Sequence, residues 1–217
     1  MTEKITIINY GMGNIGSVVK KINRIGYTPV VAVNANEILA ATKLILPGVG
    51  HFAAAIAKLK DMGLWDALNE AVLIKKTPIL GICLGMQLMA KHSEEGDAEG
   101  LGWFDANVVR FSIKDKLKYK IPHMGWNHAE IIKPSPLFKD VDLEQGFYFV
   151  HAYHIKCNQP GDVLNTSTYE YPFVSAIQRD NIVGLQYHPE KSHEAGEQIL
   201  LNFCKNFLKP IPCSDPV

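Results

Sequence analysis

Three short stretches carry residue types that could do covalent chemistry. The first is Gly81-Ile82-Cys83-Leu84-Gly85, where an apolar strand gives way to a helix. A nucleophile on a tight strand-to-helix turn is pushed outward, and small neighbours let the backbone bend and a substrate approach. The helix start also offers unpaired N–H groups and a positive dipole end, which favour thiolate over thiol. Alone, the pentapeptide fits a buried structural cysteine equally well. The second stretch is His188-Pro189-Glu190, directly after the strand-like run Ile182 to Tyr187. A cysteine nucleophile needs an imidazole to take and return a proton, and the imidazole needs a third group to fix its tautomer. Residues i and i+2 of extended chain project to one side, so Glu190 is placed to orient His188. By itself this is a polar surface loop; together with Cys83, at another strand end of the same sheet, it is the base of a nucleophilic site. The third stretch is Pro47-Gly48-Val49-Gly50-His51, again at a strand end and opening a helix. Acyl transfer requires N–H donors aimed at the developing oxyanion. Glycines flanking Val49 permit peptide orientations that the β-branched residue disfavours. A strand-to-helix turn with no ligand has the same composition.

Two other patterns are declined. Gly11-Met12-Gly13-Asn14-Ile15-Gly16 has the dinucleotide-fingerprint spacing, yet the second strand ends near Asn34 without the acidic residue that a ribose hydroxyl requires. His151, His154 and Cys157 have metal-like spacing, but residues three apart on a strand face opposite sides. Neither a cofactor nor a metal is expected. Cys157, Cys204 and Cys213 read as a strand residue, a helix core residue and a tail residue.

The elements that must position these stretches alternate through the first ninety residues. Lys4 to Asn9 is a β-branched strand, and Ile15, Val18, Val19, Ile22 and Ile25 follow at helical spacing until Gly26. A strand over Pro29 to Val33, a short helix near Glu37 to Ala41, and a strand at Leu44 to Leu46 come next. Helical spacing returns at Phe52, Ile56 and Leu59, then at Leu64, Leu68 and Val72. A fourth strand runs from Pro78 to Ile82, with a helix from Leu84 to about His92. After Gly96, strands are expected at Trp103–Phe111, His128–Ile132, Phe147–Ile155, Val163–Tyr169, Phe173–Arg179 and Ile182–Tyr187. A closing amphipathic helix covers Ala195 to Leu208, and Pro210, Pro212 and Pro216 mark a frayed tail over 209–217. Short apolar strands separated by helices give an α/β fold: one three-layer domain over 1–208, a mostly parallel central sheet, and added antiparallel strands in the second half.

Composition narrows the function classes. The 217 residues suit one domain with a full hydrophobic core. Lys plus Arg and Asp plus Glu both total 22, so no bulk positive field favours nucleic acid or an anionic membrane. The longest nearly apolar stretch, Ile79 to Ala90, is too short to span a bilayer. The first ten residues read as a strand rather than a leader, and the four cysteines make no disulfide framework. The cytoplasm is the expected compartment.

Taken in order, the stretches resemble a known family, the class I (triad) glutamine amidotransferases, and within it the glutaminase subunits of imidazole glycerol phosphate synthase. The resemblance rests on Asn9-Tyr10-Gly11-Met12-Gly13-Asn14, Leu46-Pro47-Gly48-Val49-Gly50-His51-Phe52, Gly81-Ile82-Cys83-Leu84-Gly85-Met86-Gln87-Leu88, Pro122-His123-Met124-Gly125-Trp126-Asn127, Tyr148-Phe149-Val150-His151 and Gln186-Tyr187-His188-Pro189-Glu190-Lys191-Ser192. It covers about residues 5 to 208. The resemblance implies Cys83 as nucleophile, His188 as general acid and base, and Glu190 as its orienting partner. It implies glutamine held by Gly50, Gln87 and Glu95, and oxyanion donors at Leu84 and the Val49 segment. It implies ammonia passing to a (β/α)8 barrel cyclase in a heterodimer, with Trp126, Tyr148 and Lys191 toward that barrel, and neither metal nor organic cofactor. A glutaminase silent until its partner binds ligand would follow if the Val49 peptide rests with its N–H turned away and flips on activation.

Three rival readings remain open on sequence. Leu101-Gly102-Trp103-Phe104-Asp105-Ala106 and His151-Ala152-Tyr153-His154 lean toward paralogues that supply ammonia for amidination of a surface-polysaccharide sugar. A catalytically idle regulatory subunit is opposed by the intact Cys83, His188 and Glu190. A cysteine peptidase is opposed by Gln87 and the Pro-Gly-Val-Gly stretch, which suit a glutamine pocket.

Overall fold

A computed structural model describes residues 4–207; the expected tail, Cys213 and the 208 boundary lie outside the described residues. The β-branched and aliphatic runs form strands whose alternate residues feed two separate cores. In β3 (Leu44–Gly48), Leu44 and Leu46 join one buried cluster and Ile45 the other. In β4 (Ile79–Cys83), Ile79 faces the first, and Leu80 and Ile82 the second. A strand buried on both faces must be covered by helices on both, which produces three layers.

The other first-half elements are β1 (Lys4–Ile8), α1 (Ile15–Arg24), β2 (Thr28–Ala32), α2 (Ala35–Leu39), α3 (Phe52–Asp61), α4 (Leu64–Asn69) and α5 (Leu84–Gln87). The α2 helix starts and ends two residues earlier than the spacing suggested, because the Asn34 side chain caps it by accepting from Glu37 N–H at 3.1 Å. The second half adds β5 (Ala90–Ser93), β6 (Ala98–Glu99), β7 (Phe104–Arg110), β8 (His123–Asn127), β9 (Glu130–Ile131), β10 (Phe147–His151), β11 (Tyr153–Cys157), β12 (Val163–Tyr169), β13 (Tyr171–Arg179), β14 (Ile182–Leu185) and α6 (His193–Asn206). The main sheet runs β2-β1-β3-β4-β14-β13-β11-β7-β5-β6. Its first five strands are parallel, and β14 joins antiparallel β13. Strand β12 lies on β13 and carries β9, while β8 and β10 form a separate antiparallel ribbon. No helix among the described residues is long and apolar enough to cross a membrane.

Three expectations are corrected. The helix from Leu84 stops at Gln87, and Ala90 is already strand. The chain there is pulled into the sheet: Leu88 and Ala90 carbonyls accept from Leu101 and Gly102 N–H at 2.8 and 3.0 Å, and Ala90 pairs with Phe104. The run Phe147–Ile155 breaks at Ala152, where β10 leaves for the ribbon and β11 pairs with β7. The strand expected at His128–Ile132 shrinks to β9, and β8 was not anticipated. In β8 the usual pattern is inverted: His123 is buried, whereas Met124 and Trp126 are 62% and 48% exposed. Alternation read as apolar-inside therefore misses it.

Candidate active site

The parallel register places three strand ends side by side. Gly48 of β3 pairs with Cys83 of β4, and Leu185 of β14 pairs with Ile82, so the chain leaving β14 reaches His188 next to Cys83. Cys83 sits at φ 55°, ψ −111°, a strained conformation for a residue with a Cβ. The strain is held by close packing of α5 on the sheet: a Cβ on Gly85 would overlap the Leu46 carbonyl. The sharp turn expected at Cys83 is present, and the Leu84 backbone opens α5 beside the sulfur, with first-turn amides that have no intrahelical acceptor.

His188 and Glu190 form a buried pair. Their side chains are each 2% exposed, and Nδ1 of His188 lies 2.8 Å from Oε1 of Glu190. A carboxylate can only accept there, so Nδ1 carries the hydrogen and Nε2 is the free working nitrogen. His188 Nε2 has no conventional hydrogen-bond partner, so Cys83 acts on it chiefly through charge. Burial alone would depress the imidazole, but the Cys83 sulfur and the hydrogen-bonded Glu190 carboxylate outweigh it and raise His188 to about 10. The pair is therefore poised as imidazolium beside sulfur. Glu190 Oε2 and the hydroxyl of Tyr10 are also buried without partners. Burial first, and then Cys83, pushes the Tyr10 phenol above its ordinary value.

Beside the sulfur lies a cavity of about 190 Å³ lined by Val49, Gly50, Cys83, Leu84, Gln87, Glu95, Val150, His151, Ala152 and Tyr153. Drug-sized ligands occupy about 300–1,000 Å³; this volume suits an amino-acid-sized molecule. Five sequence-named residues besides the nucleophile thus converge on one space. Gly50 adopts φ +108°, which only glycine takes without strain, and exposes its backbone to the cavity. Glu95 is fixed by the Phe52 N–H, which donates to Oε2 at 2.8 Å. The Val49 N–H donates to the Met12 carbonyl at 3.2 Å, and Met12 is not part of the lining. In this conformation that amide does not serve an oxyanion. The dinucleotide-like Gly11–Gly16 turn meets its partner here: Gly13 packs against Pro47, and the loop engages the chain's own backbone.

Trp126, Tyr148 and Lys191 also come together, outside the cavity. Trp126 and Tyr148 are cross-strand neighbours in the β8–β10 ribbon, with ring centroids 6.1 Å apart. The Lys191 ammonium lies 5.5 Å from the Tyr148 ring, and His193 stacks on Trp126 at 4.7 Å. The ribbon is wired to the triad, since His188 N–H donates to the Tyr148 carbonyl at 2.9 Å. Sequence reasoning missed Gln186, His151 and Tyr153. Gln186 precedes His188 by two, the same-side spacing already applied to Glu190; His151 was weighed only as a metal ligand.

Comparisons with known proteins establish the family and the fold. The family described as "Glutamine amidotransferase class-I" matches residues 6–207. Two similar proteins bear the name imidazole glycerol phosphate synthase subunit HisH 2. One is from Methanococcus maripaludis (46% identical, covering 93% of this chain and 98% of that protein), the other from Pseudomonas aeruginosa (43%, covering 92% and 98%). Among solved structures, PurLQS from Thermotoga maritima superposes with a TM-score of 0.67 at 15% identity, over 96% of this chain and 100% of that one. A structure described as glutamine amidotransferase gives 0.69 at 15% identity, over 92% and 98%. The solved structures share the fold, and the sequence relatives share the family: this chain belongs to the class-I glutamine amidotransferases.

Proposed function

We propose that the chain is the glutaminase subunit of an imidazole glycerol phosphate synthase, releasing ammonia from glutamine for a (β/α)8 barrel cyclase. The observation that carries the chemistry is a sulfur lining an amino-acid-sized cavity, with a buried imidazole–carboxylate pair just past the end of the adjacent strand. The pathway is supported by full-length likeness to HisH subunits. Glutamine enters with its side-chain amide over Cys83, its polar groups met by Gly50, Gln87 and Glu95. The sulfur attacks the amide carbon, the carbonyl oxygen gains charge facing the Leu84 amide, and His188 delivers a proton to the departing nitrogen. Carbon–nitrogen cleavage leaves a γ-glutamyl thioester and ammonia. Water, deprotonated by His188, then hydrolyses the thioester to glutamate and restores the thiol. Trp126, Tyr148 and Lys191 supply aromatic and cationic contacts for the barrel on the ribbon face.

The test is glutamate release by the chain alone, with the barrel, and with the barrel plus its ribotide ligand. Stimulation by barrel and ribotide together is the expected result. Activity indifferent to that ribotide, or no binding to that barrel, overturns the pathway assignment.

The resting Val49 amide gives a second expectation. Turning its N–H from Met12 toward the cavity adds an oxyanion donor, and such a donor is worth about 100- to 1,000-fold in rate. The β-branched side chain restrains that turn, and left-handed backbone costs a non-glycine residue about 1–2 kcal/mol. Val49→Gly is expected to raise unstimulated glutamate release about tenfold while leaving the stimulated rate within about twofold. An unchanged unstimulated rate removes the restraint from this peptide.

A further inference from the structure

We infer that Gln186 is a hydrogen-bond donor to the nucleophile, and that Gln87 is a positioning residue that acts through it. The inference rests on the reading of Cys83 as nucleophile. Gln186 has no solvent exposure, and its Nε2 lies 3.7 Å from the Cys83 sulfur. The Val150 carbonyl, 3.9 Å from the same sulfur, is an acceptor and cannot favour an anion there. The Gln186 amide is therefore a donor that can favour an anion at the sulfur.

The direction of that amide is set by Gln87, whose Nε2 is fixed by the Tyr153 carbonyl, and the same carbonyl closes a chain of side chains that begins at Asn127. Asn127 Oδ1 accepts from His128 N–H at 2.8 Å, so its Nδ2 faces the Thr168 carbonyl at 2.9 Å and His123 Nε2 at 3.3 Å. His123 Nε2 must then accept, which leaves Nδ1–H to donate to His151 Nε2 at 3.1 Å. His151 Nδ1–H donates to the Tyr153 carbonyl at 2.7 Å. That carbonyl also accepts from Gln87 Nε2 at 3.0 Å, and Gln87 Nε2 donates again to Gln186 Oε1 at 3.0 Å. With Oε1 occupied, only the NH₂ of Gln186 can face the sulfur. One assignment satisfies every link, and it requires both histidines neutral, each donating once and accepting once. Burial lowers His123 to about 4 and holds His151 well below its ordinary value, in keeping with that assignment. A buried glutamine is costly unless partnered, and methionine would fill similar space. The donor aimed at sulfur is what glutamine adds.

An N–H donor favours the thiolate, so its loss raises the pH at which Cys83 becomes reactive. The experiment is the pH dependence of Cys83 alkylation by iodoacetamide in the complex with the barrel, alongside kcat and KM for glutamate release. For Gln186→Met, the alkylation inflection is expected to move up by about one pH unit, and kcat to fall about tenfold with KM within about twofold. Gln186→Glu keeps the shape but turns an acceptor to the sulfur, so its inflection should move further up. An inflection unmoved in both Gln186 variants overturns the inference, and a raised KM with that unmoved inflection would make Gln186 part of the glutamine pocket instead. Alkylation needs neither glutamine nor ribotide, so a shifted inflection without glutaminase activity would fault the substrate assignment and leave this inference standing.

Discussion

Cys83→Ala is expected to lower glutamate release at least about 1,000-fold while glutamine still binds. Such losses are general for removal of a nucleophile that works as a unit with its base. No other described cysteine can substitute. Cys157 is pushed up to about 12, by burial first and Asp162 second, and Cys204 is buried in α6. Alanine keeps a Cβ and therefore tolerates φ 55° no worse than cysteine, so the elbow and the cavity should persist. Two of the influences that raise His188 disappear with the sulfur, leaving burial opposed by Glu190 alone, so His188 should titrate lower. This has a stability consequence with a definite sign. In the intact protein the folded-state value, about 10, lies above the unfolded value near 6.5, so the charged His188 stabilises fully below about pH 6.5 and loses that contribution as pH rises toward 10. The variant should therefore lose less Tm between pH 7 and 10 than the parent. Turnover assays, glutamine binding by calorimetry and melting curves across that range check the three parts. Glutaminase activity within about tenfold of the parent would remove Cys83 from the nucleophile's position.

How much of this was legible in sequence follows from which signals are local. Cys83 was readable because a glycine-flanked residue between an apolar strand and a helix has few conformations, and the structure holds it in a rare one. His188 and Glu190 were readable because two residues apart on extended chain is a geometric statement. Four of the five parallel strands, β1, β3, β4 and β14, were readable because burial on both faces leaves continuous apolar runs. The ribbon was hidden because Met124 and Trp126 point outward, so its pattern answers to something other than the core. The early end of α5 was hidden because partners distant in sequence, Leu101 and Phe104, redirect the chain at Leu88 to Ala90. The Gln186 chain was hidden for the same reason at the side-chain level: its six links join β8, β10, β11, α5 and the end of β14, and no spacing rule connects them.

Glu190→Gln should lower kcat about 1,000- to 10,000-fold with KM nearly unchanged, the scale on which neutralising the orienting carboxylate acts in hydrolytic triads generally. The substitution preserves volume and can still present an oxygen to His188 Nδ1–H in the place of Glu190 Oε1, which lies 2.8 Å from that nitrogen. What it removes is charge. His188 must hold a proton when sulfur attacks and when the nitrogen departs, and with side chains 2% exposed no water compensates the imidazolium. Burial is the largest influence on His188 and favours the neutral ring; without the carboxylate it meets only Cys83. The amide can also rotate its NH₂ toward Nδ1, which forces the hydrogen onto Nε2 and leaves no base facing the sulfur. The loss should thus appear in both halves of the reaction, ammonia release and thioester hydrolysis, so no thioester accumulates. Rapid-quench measurement of glutamate and ammonia in the barrel complex checks this. A burst of ammonia ahead of glutamate would show that Glu190 serves only the second half. A loss under about tenfold would show that His188 is oriented by its buried packing alone.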